Sequence, residues 1–128
     1  MARPRTLGEK PLDWVGSLKK DFLAFPSRVK DEMGVALGVA QFGGKHPAAR
    51  PWKGQGPGVF EVVERHDGDA YRAIYTVRFR EVVYVLHAFQ KKSPQRIRTA
   101  LVDIEIVARR LKVAQQDYEA RYGEPTRG

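Results

Sequence analysis

Three basic residues, Arg72, Lys91 and Lys92, have the types and the spacing that binding and cleaving a phosphodiester would require. Lys91 and Lys92 directly follow residues 82–89, an apolar run that predicts a buried strand. Arg72 lies within residues 71–77, whose alternating pattern predicts a neighbouring strand. If these strands pair, the three cations converge at one end of a sheet, where they would neutralise the charge that develops on a phosphate.

Each of these cations also has a structural alternative. An unpaired arginine in a central strand would be costly, so Arg72 could instead form a cross-strand salt bridge to Glu61 or Glu64. The two lysines could simply be solvated at the end of a strand. The residues alone leave both alternatives open.

The three histidines and the absence of cysteine give no metal-ligand spacing, so no metal or other cofactor is expected. His87 lies in a predicted strand, where a hydrogen-bonded core position and a role in proton transfer both remain open. His66 falls in a turn and is expected to be exposed, whereas His46 lies on a loop from which it could reach a substrate. Asp103 and Glu105 are expected on different faces of a helix as solvated charges.

The charge of the chain is uneven. Lys and Arg number 23 against 15 Asp and Glu, a net charge of +8. Residues 65–98 contain eight basic and three acidic side chains, whereas residues 99–128 contain five of each. This concentration favours an anionic partner, and a merely solubilising surface is the alternative. Because 18 apolar residues never run together, we expect no membrane association and a cytoplasmic location.

The order of the helices and strands predicted to position these residues indicates an α+β fold in one domain of 128 residues. We expect an edge strand at residues 11–15, a helix over 18–25 capped by Ser17, and a second helix capped by Ser27 and ended by Gly43 and Gly44. The second helix carries an apolar stripe: Val29, Met33, Leu37 and Ala40.

The remainder of the chain predicts an antiparallel meander and a C-terminal helix. Its strands cover residues 59–64, 70–77 and 82–89, with an Asp67-Gly68 turn between the first two. The helix begins near Ser93 and reaches Tyr118 or Tyr122. Two segments are expected to be irregular, a flexible N-terminus at 1–9 and a flexible Gly/Pro-rich basic loop at 43–58. The role of a C-terminal extension at 115–128 stays open between lengthening the last helix and contacting a partner.

Several segments together resemble the phage-related, HigB-like branch of the RelE/ParE toxin superfamily. They are Ala70-Tyr71-Arg72-Ala73-Ile74-Tyr75, then Val83-Tyr84-Val85-Leu86-His87-Ala88-Phe89-Gln90-Lys91-Lys92-Ser93, and Asp103-Ile104-Glu105-Ile106-Val107-Ala108-Arg109-Arg110. The resemblance runs from about residue 10 to 115. It implies an N-terminal helical hairpin packed on a small, curved antiparallel sheet, with a helix at the C-terminal end.

The resemblance also implies a function. HigB- and RelE-like members are toxins of type II toxin-antitoxin systems that cut messenger RNA on the ribosome, by attack of the 2′-hydroxyl on the adjacent phosphate and without a metal. By resemblance, Arg72 binds the scissile phosphate, and Lys92, with Lys91 beside it, stabilises the transition state. The partner that silences such a toxin is an antitoxin, commonly a helix-turn-helix DNA-binding protein.

The resemblance does not identify the general base or the oligomeric state. Glu61, His87, His46 and Lys53 are the candidates for the base. The basic residues expected to bind RNA are Lys45, His46, Arg50, Lys53, Arg65, Arg78, Arg80 and Arg96. Two other functions remain open: a ParE-like toxin that poisons gyrase, and a nonenzymatic module that binds nucleic acid.

Overall fold

A computed structural model describes residues 8–91 and 101–123. Five strands and three helices follow one another in the order β1, α1, α2, β2, β3, β4, β5, α3. Their bounds are β1 Leu12–Trp14, α1 Leu18–Leu23, α2 Ser27–Gln41, β2 Arg50–Pro51, β3 Val59–His66, β4 Asp69–Thr76, β5 Val83–Lys91 and α3 Leu101–Tyr122. In the described part of the chain, every helix is too short or too polar to cross a membrane.

The strands form one sheet in the order β1-β5-β4-β3-β2. The predicted meander β3-β4-β5 is confirmed, and it turns between β3 and β4 at Asp67 and Gly68. Both residues have positive φ, 50° and 82°, as the turns that match the twist of a hairpin require. The α+β architecture expected from the sequence is therefore confirmed.

The sheet is mixed, because the N-terminal edge strand expected beside the antiparallel meander pairs in the parallel direction. β1 runs parallel to β5, and the backbone N–H groups of Val15 and Val83 donate 3.0 Å hydrogen bonds to Val85 and Pro11. A parallel pair needs a long connection between its strands. The two helices and three strands that separate β1 from β5 in sequence provide it.

The helices cover opposite faces of the sheet. Phe25, between α1 and α2, packs edge-on against Tyr71, with ring centroids 5.0 Å apart. Asp103 at the start of α3 bonds His87, which lies on the other face because its register partner Ile74 is three positions from Tyr71. The stripe predicted for α2 is confirmed, since Val29, Met33, Leu37 and Ala40 are all buried.

Several local expectations change. Ser17 precedes α1 without a side-chain capping bond, and Ser27 is the first residue of α2, after Pro26 at the cap position. The segment 43–58 is tied to the sheet, since it contains β2 and buries Trp52 to 6% exposure. His66 ends β3 and is half-buried against Tyr71, because the strand extends two residues further than predicted.

Candidate active site

One face of the sheet carries most of the residues expected to do chemistry. Opposite residues of paired strands share a face, and every second residue of a strand returns to it. The register opposes Arg65, Ala70 and Lys91 in one row, and Val63, Arg72 and Phe89 in the next. The following row contains Arg50, Glu61, Ile74 and His87. Three strands and the short β2 therefore place these side chains on the same surface, which we call the Arg72 face.

An ion pair forms at the centre of the Arg72 face. The Nη1 atom of Arg72 donates a 3.0 Å hydrogen bond to Oε2 of Glu61. The side chains of Arg72 and Glu61 are only 11% and 17% exposed, so the pair is largely removed from water. Of the two carboxylates considered from the sequence, Glu61 is the partner. Glu64 opposes Tyr71 and so lies on the other face.

A cavity of about 320 Å³ opens beside this ion pair. Its walls consist of Pro47, Ala48, Arg50, Glu61, Val63, Arg65 and Arg72. Three of the lining side chains are cationic and one is anionic, so the cavity attracts an anion. Guanidinium groups suit phosphate because their planar forks donate two parallel hydrogen bonds. We call this space the arginine cavity.

His87 lies in the row next to Arg72, but its ring is held between residues of α3. Nε2 lies 2.8 Å from Oδ1 of Asp103, and Nη1 of Arg110 approaches Nδ1 at 3.4 Å while donating to the Leu86 carbonyl at 3.1 Å. Burial lowers the pKa of His87, against the opposing effect of Asp103. Both ring nitrogens are therefore engaged, which is the hydrogen-bonded core position considered from the sequence.

The expectation that Asp103 is a solvated charge was wrong. Its side chain is 14% exposed and binds His87. A signal for this was present in the sequence, since Asp103 precedes the buried Val107 by four residues and Arg110 by seven, the spacing of one helical face. Asp103 and Arg110 are the functional-site neighbours that sequence reasoning missed.

Lys91 is the last residue of β5, where the sequence placed it just beyond the strand. It opposes Ala70, one row from Arg72 and on the same face. Two of the three cations expected to converge therefore share the Arg72 face. Lys92 and Arg96 lie outside the described residues.

The basic loop residues divide into two groups. Arg50 lines the arginine cavity, and Lys53 lines a second, smaller cavity together with Glu61. Lys45 instead donates to the Ala49 carbonyl at 3.3 Å and lies 5.8 Å from the centroid of the Phe60 ring. His46 accepts a 3.0 Å hydrogen bond at Nδ1 from the N–H of Ala48.

Arg78 and Arg80 follow β4 at the end of the sheet opposite to Lys91. The guanidinium of Arg78 donates hydrogen bonds to the carbonyl oxygens of Gln55 and Pro57. The Pro57 oxygen accepts two of them, from Nη2 at 3.0 Å and from Nε at 3.3 Å. Arg78 thus ties the Gly/Pro-rich basic loop to the sheet.

Among residues 8–91 and 101–123, no group of three or more His, Asp or Glu side chains is arranged to hold a metal ion.

Solved structures of a bacterial toxin share this fold. A mutant of E. coli toxin RelE in the free state, with two arginines replaced by alanine, aligns with a TM-score of 0.54 and 19% identity over 82% of this chain and 97% of that one. The isolated E. coli RelE toxin aligns with a TM-score of 0.51 and 23% identity, over 78% and 97%. The chain therefore has a RelE-like α+β fold.

A family model identifies the chain more closely. The model of the phage-derived Gp49-like proteins matches residues 20–112, a segment that contains Glu61, Arg72, His87, Lys91 and Lys92. The chain belongs to this Gp49-like family, a RelE/HigB-type toxin family, which confirms the resemblance seen in the sequence. A comparison with curated proteins gives no match.

Proposed function

We propose that this protein is the toxin of a type II toxin-antitoxin system and cleaves messenger RNA on the ribosome without a metal ion. The observation that carries this proposal is the buried pair of Arg72 and Glu61, which opens into a cavity lined by two further arginines. Attack by a 2′-hydroxyl requires a cation that binds the phosphate and a base that takes the hydroxyl proton. Arg72 and Glu61, held together on one face, would supply these two groups. Membership of a RelE/HigB-type family supports the same reaction.

In this proposal Arg72 binds the scissile phosphate. Its central strand fixes the Arg72 backbone, and the largely buried side chain would present the guanidinium to the phosphoryl oxygens as negative charge grows on them. A phosphate bound by Arg72 competes with Glu61 for the guanidinium. Substrate binding would therefore separate the ion pair and release the Glu61 carboxylate toward the ribose.

Glu61 is our candidate for the general base. Of the other three candidates, His87 has both nitrogens engaged, His46 accepts a backbone N–H at Nδ1, and Lys53 carries a positive charge. Glu61 would take the proton of the 2′-hydroxyl as the 2′ oxygen forms a bond to phosphorus. The bond from phosphorus to the 5′ oxygen then breaks, which leaves a 2′,3′-cyclic phosphate and a 5′-hydroxyl after the leaving oxygen takes up a proton.

The roles of the two lysines follow from the family resemblance, and those of Arg50 and Arg65 follow from their place in the arginine cavity. Lys91, which shares the face of Arg72, and Lys92 would stabilise the charge on the phosphate and the leaving oxygen. Arg50 and Arg65 would bind flanking phosphates in the arginine cavity. We place the protein in the cytoplasm, with a helix-turn-helix antitoxin as its partner.

The test is induced expression in a bacterium, with and without the neighbouring open reading frame, followed by primer extension on abundant transcripts. We expect growth arrest and discrete cuts, both removed by Arg72→Ala or Glu61→Gln and unaffected by Arg28→Ala, which changes an exposed arginine on α2. Arrest with intact transcripts and a supercoiling defect would indicate a gyrase poison instead. Normal growth with folded protein would refute the toxin proposal altogether.

A further inference from the structure

The outer edge of β3 has no partner strand over its second half. The N–H of Trp52 donates a 2.8 Å hydrogen bond to the Val59 carbonyl, so the backbone polar groups of Val59 point away from β4. This direction repeats at every second residue of a strand, so the N–H and C=O groups of Val63 and Arg65 also point away from β4. β2 ends before it reaches them, and within the described part of the chain no other backbone group pairs with them.

A turn before β2 leaves this edge open. If β2 continued backwards past Arg50 in the same register, Ala48 would lie opposite Val63. The chain turns away instead, and the N–H of Ala49 donates a 2.9 Å hydrogen bond to the His46 carbonyl. Ala48 and Val63 therefore lie on different walls of the arginine cavity, which occupies the place of the missing strand.

The edge and its arginines specify what would fit there. An unpaired strand edge binds an extended peptide, because the main chain of the peptide supplies the missing hydrogen-bond partners. Residues placed opposite Val63 and Arg65 would share the Arg72 face, where the guanidinium groups of Arg50 and Arg65 are exposed. The residue between them would lie on the other face, beside Glu64. The edge therefore favours two carboxylates at alternate positions, separated by an uncharged residue.

We propose that the outer edge of β3 binds, as an added antiparallel strand, an extended acidic segment of a partner protein. Its main chain pairs with Val63 and Arg65, and its two alternate carboxylates bind Arg50 and Arg65. The added strand prolongs the line of β2 and fills the arginine cavity. The consequence rests on the proposed function: a filled arginine cavity excludes RNA, so the partner inhibits cleavage.

A labelled synthetic peptide tests the added strand. The probe is fluorescein-Gly-Val-Glu-Val-Glu-Val-Gly-amide, and its binding is measured by fluorescence polarisation. Opposed residues of a hydrogen-bonded antiparallel pair exchange both bonds, so the N–H groups of the two Glu residues face β3 and that of the middle Val points away. N-methylation of both Glu residues should weaken binding about tenfold, roughly the effect of losing one or two such bonds. N-methylation of the middle Val is the matched control and should leave the affinity unchanged.

Three results of this comparison would overturn the inference. They are no binding of the unmodified peptide, equal affinities of all three peptides, and an equal loss from the two modifications. Each would show that the peptide does not pair with the edge through its main chain.

A variant of the edge tests the same hydrogen bond from the protein side. Val63→Pro removes an N–H that points away from β4, so the pairing of β3 with β4 keeps all its bonds. We expect about tenfold weaker peptide binding, whereas Val63→Thr keeps both the N–H and the β-branched shape and should bind as the wild type does. Equal affinities of the two variants would overturn the inference. Urea titration checks that Val63→Pro is folded, and the N-methylated peptides decide the question if it is not.

The carboxylates have their own test. Arg50→Gln and Arg65→Gln should each weaken binding of the unmodified peptide about fivefold, the upper range for an exposed ion pair. Arg28→Gln changes an exposed arginine on α2 and should have no effect. Moving the two Glu residues next to each other in the peptide should also cost about fivefold, because one carboxylate then lies beside Glu64. Affinities unchanged by both arginine variants would overturn the assignment of the carboxylates.

The two proposals fail in different ways. A protein that binds the peptide through its edge but cuts no transcript would refute the nuclease and retain the edge site. Discrete cuts by a protein that does not bind the peptide would retain the nuclease and refute the edge site. Where both hold, saturating peptide should displace an uncleavable RNA, and RNA binding that is unchanged by the peptide would refute the inhibition.

Discussion

Arg72 and Glu61 form a diagonal ion pair across β3 and β4, with Nη1 3.0 Å from Oε2. The register opposes Arg72 to Val63 and Glu61 to Ile74, so the two charges are offset by one pleat on the same face. Both side chains are mostly buried. The pair therefore contributes to the fold as well as to the site, and the two contributions can be measured separately.

The first prediction concerns the stability of this pair. Removing one partner of a buried ion pair leaves the other charge uncompensated, so Arg72→Ala should lower the free energy of unfolding by about 3 kcal/mol. Urea titration of the purified protein measures this value. The control Arg28→Ala changes an exposed arginine and should stay within about 0.5 kcal/mol of the wild type.

A double-mutant cycle separates the pair from its surroundings. We expect Arg72→Ala with Glu61→Ala to cost at least 1 kcal/mol less than the sum of the single changes, within the usual range for contacting residues. Additive costs would mean that the two charges do not stabilise each other in solution.

The second prediction concerns the arginine cavity. If Arg50 and Arg65 contact RNA phosphates, each change to alanine should lower the slope of log affinity against log salt concentration by about 0.7, the value for one phosphate contact on a single strand. The measurement is binding of an uncleavable RNA between 50 and 200 mM salt, roughly the range over which such contacts weaken. Arg28→Ala again serves as the control. A slope unchanged by Arg50→Ala and Arg65→Ala would remove both from the RNA interface.

The third prediction concerns pH and His87. Because burial lowers the pKa of His87 in the folded protein, the unfolded chain, with a pKa of about 6.5, takes up this proton first as the pH falls. Stability is therefore unaffected well above pH ~6.5 and declines below it, by at most about 1.4 kcal/mol per pH unit, until the folded pKa is reached. Protonation would also direct an N–H from Nδ1 toward the Arg110 guanidinium.

Urea midpoints between pH 7.5 and 5 check this expectation, and the control is His87→Gln, which retains polar atoms but does not titrate. We expect the loss of stability on acidification to be smaller in His87→Gln than in the wild type. Identical pH profiles would assign the acid sensitivity to other groups.

Local sequence pattern predicted the part of the site that lies on neighbouring strands. The alternation around Arg72 placed it on the face opposite to Tyr71, and the Asp67-Gly68 turn fixed which residues of β3 it faces. The register then brings Glu61 within reach of Arg72. The pairing of Arg72 with Glu61 could be anticipated because two features specify the register of a hairpin: its turn, and the alternation of side chains between the two faces of each strand.

Contacts between distant segments were beyond such reasoning. Asp103 meets His87 only because α3 crosses the sheet, and Trp52 is buried because the segment after α2 adds a short strand beside β3. The parallel pairing of β1 with β5 likewise depends on where the chain returns after two helices. No spacing within one element encodes these contacts, since they arise from tertiary packing.

The fourth prediction concerns Arg78 and the glycine-rich loop. Arg78 binds the carbonyls of Gln55 and Pro57, and its Cα lies 3.4 Å from the position that a Cβ on Gly58 would occupy. Arg78→Ala should free the loop and speed tryptic cleavage after Lys53, which is exposed and adjacent to it. Arg80→Ala is the matched control, because it also removes one exposed arginine from the same connection. Equal cleavage rates in the two variants would show that Arg78 does not hold the loop.

The last prediction concerns the C-terminal part of α3. Tyr118 is 5% exposed, stacks on Phe79 with centroids 4.8 Å apart, and donates a hydrogen bond to Glu81. Tyr118→Ala should lower the free energy of unfolding by about 3 kcal/mol or more, because it leaves a void where an aromatic ring was packed. Tyr118→Phe retains the ring and loses the hydrogen bond alone, so it should cost only about 1 kcal/mol. Urea titration of both variants distinguishes packing from hydrogen bonding. If Tyr118→Ala costs no more than Tyr118→Phe, packing of Tyr118 does not stabilise the domain.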